Sequence, residues 1–244
     1  MNRAFADLHL RVNTKDPQAA QRIIERAAFF GYKKISLTSN GLLDDAQIIV
    51  LKAASAKVGM EFILRVDFKP RDQEDLMRFL RKFRRKAEVI CVICDNKEVS
   101  RQAAKDRRVD LLNFPSLDYH KRFFDRSEAE LASSGLAALE VDIRSLLVLE
   151  GPPRVRLLSS LRREISIARE FHIPVVVSSG VSESMLMRMP RNMASLSYLF
   201  GLGESEALDA VSTNPNAIIE RNREKLDSKF VAPGIRIVKE AKHQ

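Results

Sequence analysis

Residues 173–202 read IPVVVSSGVSESMLMRMPRNMASLSYLFGL, and the fold is decided here. The stretch opens on a continuous apolar run, Ile173 to Val177, with Pro174 near its start. A short β-branched run without alternation predicts a strand buried on both faces of a parallel sheet. Ser178, Ser179 and Gly180 make a polar turn at its carboxyl end, and Arg188 and Arg191 then bracket Met189-Pro190 before a helical pattern begins. The expectation is a strand that delivers small hydroxyls and arginines to one end of a barrel as a polar, basic rim.

Working outward, the same reasoning predicts six earlier strands: Ala4 to Leu10, Lys33 to Ser39, Met60 to Phe68, Ala87 to Cys94, Val109 to Phe114 and Leu136 to Val141. Helical patterns lie between them. Asp16 and Pro17 open one, and Asp44 to Val58 forms the next. Asp72 caps a third, with an apolar stripe of Leu76, Phe79, Leu80 and Phe83. A fourth runs through Arg101 and Arg107. Asp118 to Ser134 reads as irregular, with short helices. Gly151-Pro152-Pro153 breaks the chain before a long helix carrying Leu158, Leu161, Ile165 and Ala168. After Arg191 only helices follow, the last a short one from Ser212.

Seven strands alternating with helices predict a parallel sheet, and repeated right-handed crossovers would close it into a distorted TIM-like barrel. The competing open doubly wound sheet usually has a glycine-rich first turn, and residues 11–14 contain no glycine. The expectation is an α/β fold in a single domain over 1–244, with a basic tail at 227–244. That tail holds an apolar island at 234–238, a loose end or an added strand.

The 244 residues carry a net charge of +9, with 45% hydrophobic and 30% charged residues. A chain this basic suits a polyanionic partner, though excess lysine and arginine also serve solubility. No run reaches the length of a membrane span, and Met1 to Phe5 leads straight into a strand without a signal-peptide core. Two cysteines imply no disulfide framework. A cytoplasmic protein without membrane contact is the expectation.

Barrels of this class work at the carboxyl ends of their strands. Those ends offer Asp7, His9, Arg11, Ser39, Asn40, Asp67, Asn113, Asp142, Arg144, Ser178 and Ser179. Metal-dependent phosphoesterase barrels place His-x-His where this chain has His9-Leu10-Arg11, since residues two apart on a strand share a face. A guanidinium has no lone pair for an ion. The expectation is therefore no metal and no catalytic residue here, with His9 as a hydrogen-bonded strand-end histidine. Cys91 and Cys94 stand three apart on a strand and point to opposite faces, so they read as core thiols. No nucleophile elbow or phosphate-binding glycine loop is present.

Basic residues crowd elsewhere. Arg78, Arg81, Lys82, Arg84, Arg85 and Lys86 follow one another on the third helix, then Arg101, Lys105, Arg107 and Arg108. Lys121, Arg122 and Arg126 flank Phe123 and Phe124, and five arginines mark the long helix. The planar guanidinium donates two parallel hydrogen bonds to a phosphate. The plainer reading of each run is a solvated helix face.

Taken together, ADLHLRV at 6–12, VDLLNF at 109–114, LEVDIRSLL at 139–147 and the long stretch at 174–219 resemble the TIM-barrel protein subunit family of ribonuclease P, archaeal component 3, shared with eukaryotes. The serine pair, Arg188-x-Pro190-Arg191 and Gly201-Leu202-Gly203 carry the likeness in combination, over essentially the whole chain. Thr213-Asn214-Pro215 also looks like metal-dependent hydrolase barrels, as shared ancestry with a lapsed metal site would leave it. The resemblance implies a supporting subunit of a ribonucleoprotein endonuclease. Its RNA holds the magnesium ions and cuts precursor tRNA to leave the mature 5′ end. It implies component 2 as direct partner, with other protein components, the ribonuclease P RNA and precursor tRNA nearby. Arg188 and Arg191 fall on its basic motif and are expected to touch RNA or a partner, with Arg101, Arg107, Arg126, Arg81, Arg84 and Arg85 next. The alternatives are a stand-alone metal-dependent phosphoesterase using Asp7 and His9, or an enzyme binding a small phosphate at Ser178 to Gly180.

Overall fold

β1 (Ala6–Arg11), α1 (Pro17–Phe29), β2 (Lys34–Thr38), α2 (Asp45–Lys57) and β3 (Glu61–Phe62) open the chain. β4 (Arg65–Phe68), α3 (Gln73–Phe83), β5 (Val89–Ile93), α4 (Lys97–Lys105), β6 (Leu111–Asn113), α5 (Arg126–Gly135) and β7 (Ala138–Asp142) follow. Then come α6 (Arg144–Val148), α7 (Gly151–Glu170), β8 (Val175–Ser178), α8 (Pro190–Ser197), α9 (Glu204–Ala210) and α10 (Thr213–Leu226). A hairpin of β9 (Phe230–Ala232) and β10 (Ile235–Arg236) ends the sequence of elements. This computed structural model describes residues 3–12, 16–38, 43–232 and 235–236. Ser39, Asn40 and most of the apolar island in the tail lie outside the described residues.

The large strands form two parallel sheets, β1-β2-β3 and β4-β5-β6-β7-β8. Their apolar runs separate by face. On β5, Val89 and Cys91 turn to a small cluster with Ala6, Leu8, Ile63, Leu111, Ala138 and Val176. Ile90, Val92 and Cys94 turn to the larger core beneath the helices. The period of two thus sends Cys91 and Cys94 into different layers, as expected from their spacing. Ile218 and Ile219 of α10 pack into the small cluster. Fully burying one such side chain stabilises by about 1.5–3 kcal/mol. The outer edges also meet: the Gly180 amide donates to His9 O at 2.8 Å, and the Arg11 amide to Val181 O at 2.8 Å.

Local chemistry sets the boundaries. Asp16, Asp44, Asp72, Asn96 and Asp125 each cap a helix through the side chain, and Gln47 completes a capping box with Asp44. The expected third strand divides into β3 and β4, because the Leu64 amide donates to Glu88 Oε2 at 2.8 Å instead of to a neighbouring strand. β3 stays with β2 and β4 joins β5. The fourth helix stops at Lys105, leaving Arg107 in the turn before β6. Asp118 to Ser134 holds a regular helix, α5, ended by Leu136 at φ 72°. Gly151-Pro152-Pro153 opens α7 rather than preceding it, proline being at home in a first turn. α10 has 14 residues and is not short.

Candidate functional site

The carboxyl ends of β1, β4, β6, β7 and β8 converge on one buried polar network. Arg65 and Asp67 are two apart on β4 and share a face, as do Glu140 and Asp142 on β7. Arg65 donates to Glu140 through Nη1 at 2.5 Å and Nη2 at 2.7 Å, to Asp67 Oδ1 through Nε at 2.6 Å, and to the Leu8 carbonyl at 3.0 Å. Ser178 Oγ donates to Glu140 Oε1 at 2.7 Å, and Asn113 Nδ2 reaches both Glu140 Oε2 at 2.9 Å and Asp142 Oδ2 at 3.1 Å. Burial alone would raise the Glu140 pKa, but Arg65 overrides it and holds the group well below the usual carboxylate range.

His9 enters this network through a register irregularity in β1 between Asp7 and Leu10. The irregularity turns the imidazole toward the mouth although its neighbour Leu8 lies in the small apolar cluster. Nδ1 stands 2.8 Å from Asp142 Oδ1 and Nε2 3.3 Å from Asp67 Oδ2. Burial disfavours the charged ring, yet Asp142, and Asp67 after it, raise its pKa overall. The Arg11 Nε, 3.2 Å from Nε2, needs an unprotonated nitrogen there. Nε2 thus lies between a donor that suits the neutral ring, Arg11 Nε, and an acceptor that suits the charged one, Asp67 Oδ2. Asp7 is buried, and desolvation pushes its pKa up against the His9 and Ser179 amides that donate to Oδ1 at 3.1 Å each.

His9, Glu140 and Asp142 each offer a ligand atom within 4.8 Å of the others. They do not suit an ion as they stand. Glu140 already accepts five hydrogens, two from Arg65 and one each from Ser178, Asn113 and the Cys91 thiol, Asp142 is divided between His9 and Asn113, and the Arg65 guanidinium fills the cation's role. Arg11, Arg65 and the His9 ring stand against Asp67, Glu140 and Asp142, so these acids already have partners within the protein. Two cavities border the network: one of ≈ 150 Å³ lined by Arg11, Asn113, Asp142, Arg144 and Gly180, and one of ≈ 590 Å³ lined in part by Thr38, Leu64, Arg65 and Asp67, so only the second reaches the size of a ligand pocket. Ligand pockets are commonly about 300–1,000 Å³.

Asp7, His9, Arg11, Asp67, Asn113, Ser178 and Ser179 are therefore brought together, at the strand ends where the sequence puts them. Arg188 and Arg191 do not join them. The Arg188 carbonyl accepts from Tyr32 Oη at 3.0 Å, and the Arg191 guanidinium stands 5.9 Å from the Phe5 ring. Tyr32 and Phe5 precede their strands, so these arginines flank the amino edges of β1 and β2 and build no rim with Ser178. Arg81, Arg85 and Arg107 are exposed. Arg126 is exposed and pairs with Glu170 at 3.0 Å. Arg101 is half-buried, holding Asp125 at 2.7 Å and Glu128 at 3.0 Å. Arg84 is spent on the protein itself: Asp110 at 2.5 Å and the carbonyls of Arg108 and Ala87 at 3.0 and 2.7 Å. Arg122, expected on a basic face, is buried against Glu164 at 2.5 and 2.7 Å. Arg65 and Glu140 escaped the sequence reading; a charge within each of the apolar runs MEFILRVDF and LEVDI was the available signal.

Comparison with known proteins identifies the chain. The profile described as RNase P subunit p30 matches residues 4–227. "Ribonuclease P protein component 3" of Methanosarcina barkeri is 32% identical over 200 residues, covering 81% of each chain. The protein of the same name in Methanothermobacter thermautotrophicus is 30% identical over 172 residues, covering 70% of this chain and 69% of its own. Among solved structures, a chain of an archaeal ribonuclease P determined with mature tRNA aligns at a TM-score of 0.82 with 21% identity, covering 98% of this chain and all of that one. A putative prolidase from Bifidobacterium longum aligns at 0.54 with 11% identity, over 90% of this chain and 70% of its own. With a family profile matching nearly its whole length, the chain belongs to the ribonuclease P subunit p30 family.

Proposed function

We propose that the chain is a supporting protein subunit of ribonuclease P, the endonuclease that frees the 5′ end of tRNA, and that it leaves the chemistry to the RNA. The Arg65 guanidinium between Glu140 and Asp67 carries this reading, because it takes the cation's place in the cluster that would otherwise hold one. The fold is a distorted TIM-like barrel in one domain. The two hydrogen bonds from Gly180 and Arg11 close it, and β3 and β4 act as one interrupted stave of seven. It descends from barrels of the metal-dependent phosphoesterase kind whose ion site has been replaced. Its partners are the ribonuclease P RNA, precursor tRNA and other protein components, with component 2 in direct contact, in the cytoplasm. Exposed arginines, Arg81, Arg85, Arg107, Arg126 and Arg191, supply the contacts to RNA or protein. Arg188, half-buried, adds to them. Magnesium belongs to the partner RNA.

Affinity purification of the tagged chain from its native cell tests this reading. Ribonuclease P RNA and a component 2 homologue should co-purify. Recovery of the chain without RNA, under gentle low-salt conditions, would count against it.

A further inference from the structure

The amino ends of the strands carry a cationic cluster whose charge is not balanced. Three segments meet there: Arg84 just after α3, Arg107 in the turn between α4 and β6, and Arg221 with Lys225 one turn later on α10. Asp110 is the buried carboxylate at the centre. Its Oδ2 accepts from Arg84 at 2.5 Å and from the Ile90 amide at 2.8 Å. Its Oδ1 accepts from Arg221 at 3.0 Å and from Asn222 at 2.7 Å. Both oxygens are thus committed, and Arg107 and Lys225 pair with no carboxylate among the described residues. Nearby acids are committed too: Glu61 and Glu88 to Arg223, Asp106 to Arg108.

Four cations, Arg84, Arg107, Arg221 and Lys225, thus gather around the one buried carboxylate, Asp110. Arg221 also buries its Nε without an acceptor. Burial first, and then repulsion from Arg221, hold the Lys225 ammonium below its ordinary pKa, with Arg84 and Arg107 adding to the repulsion. Such a cluster raises the energy of the free protein and is relieved when an anion docks.

We propose that Arg107, Lys225 and the outer edge of Arg221 form a binding site for the phosphate backbone of RNA, at the end of the strands opposite the polar mouth. This rests on the ribonucleoprotein reading above and gives it a location. Arg221 is fixed by Asp110 and the Leu136 carbonyl, so its planar fork is held ready before the phosphate arrives. Lys225 supplies a mobile point charge. Exposed Arg85 and Lys86 continue the positive surface past Arg84, which suits a polymer of phosphates better than a single carboxylate.

The test titrates the full chain, with the other protein subunits, onto ribonuclease P RNA across a salt series. Each phosphate contact contributes about 0.9 to the slope of log affinity against log salt, so R107A/K225A should lower that slope by about 1 to 2. K97A/K121A, which removes equal charge beyond the carboxyl ends of β5 and β6, should leave it unchanged, and R107E/K225E should weaken binding further. Melting curves check that each variant folds. A parent slope retained in R107A/K225A overturns this site and spares the subunit reading. A parent without salt-dependent affinity overturns both. Loss of a protein partner at an unchanged RNA slope makes the face a protein dock and overturns the proposal.

Discussion

Arg65 and Glu140 face each other with both side chains fully buried, joined by two hydrogen bonds of 2.5 and 2.7 Å. A bidentate pair in a low-dielectric interior is held by geometry, and removing one partner leaves an uncompensated charge. Arg65→Ala should therefore cost about 3–5 kcal/mol of folding stability in urea titrations. The variant also frees Glu140 beside His9 and Asp142. Zinc or manganese should then raise its melting temperature and leave that of the parent unchanged. An equal rise in the parent would mean that the guanidinium does not occupy the cation's place.

Gly180 is a second constraint on the same network. It has φ 64°, and a Cβ there would lie 2.8 Å from Asp142 Cγ. Gly180→Ala must both strain the backbone and displace Asp142 from His9. A loss of more than about 1 kcal/mol is expected from the backbone alone. NMR titration should show the His9 pKa falling with it, since Asp142 is the main group holding it up against burial.

Arg84 and Arg85 are neighbours in sequence with opposite fates. Arg84→Ala removes the hydrogen bonds that tie α3 to Asp110 and to two carbonyls, and should cost about 2–3 kcal/mol. Arg85→Ala and Arg81→Ala, on exposed side chains, should stay within about 0.5 kcal/mol. Denaturation of the three single variants separates structural from solvent-facing arginines directly.

These neighbours also mark what was legible in sequence and what was not. Alternating strands and helices, the caps at Asp16 and Asp72, and the two-layer fate of Cys91 and Cys94 follow from local sequence. The division of the third strand does not, because it depends on Glu88, 24 residues away, reaching the Leu64 amide. Which arginines are free depends on long-range partners as well: Arg122 meets Glu164 and Arg84 meets Asp110 only after folding. At the mouth, Asp7, His9, Asp67 and Asn113 could be read from strand ends. Arg65 and Glu140 sit deeper, inside runs whose apolar neighbours conceal them.

Glu128 gives the chain a pH dependence of its own. Burial raises its pKa to about 8 despite Arg101, and its Oε1 has no partner. The folded state thus binds a proton that the unfolded state has released above an ordinary carboxylate pKa of 4.5. Stability from this group is present at low pH and lost as pH rises from 4.5 through about 8. Glu128→Gln should flatten that decline, matching the parent in melting temperature near pH 5 and exceeding it at pH 9. A parent that is destabilised relative to the variant equally at both ends would contradict the assignment.

The central proposal is that the Arg65 guanidinium stands in an ion's place at the strand ends, and that the chain supports a catalytic RNA and cuts nothing itself. The most direct measurement incubates the purified chain with precursor tRNA and simple phosphodiesters in magnesium, manganese or zinc, beside the particle assembled with and without it. The account predicts no turnover by the chain alone and lower precursor cleavage by the particle that lacks it. Metal-dependent hydrolysis by the isolated chain, abolished by His9→Ala, would contradict it.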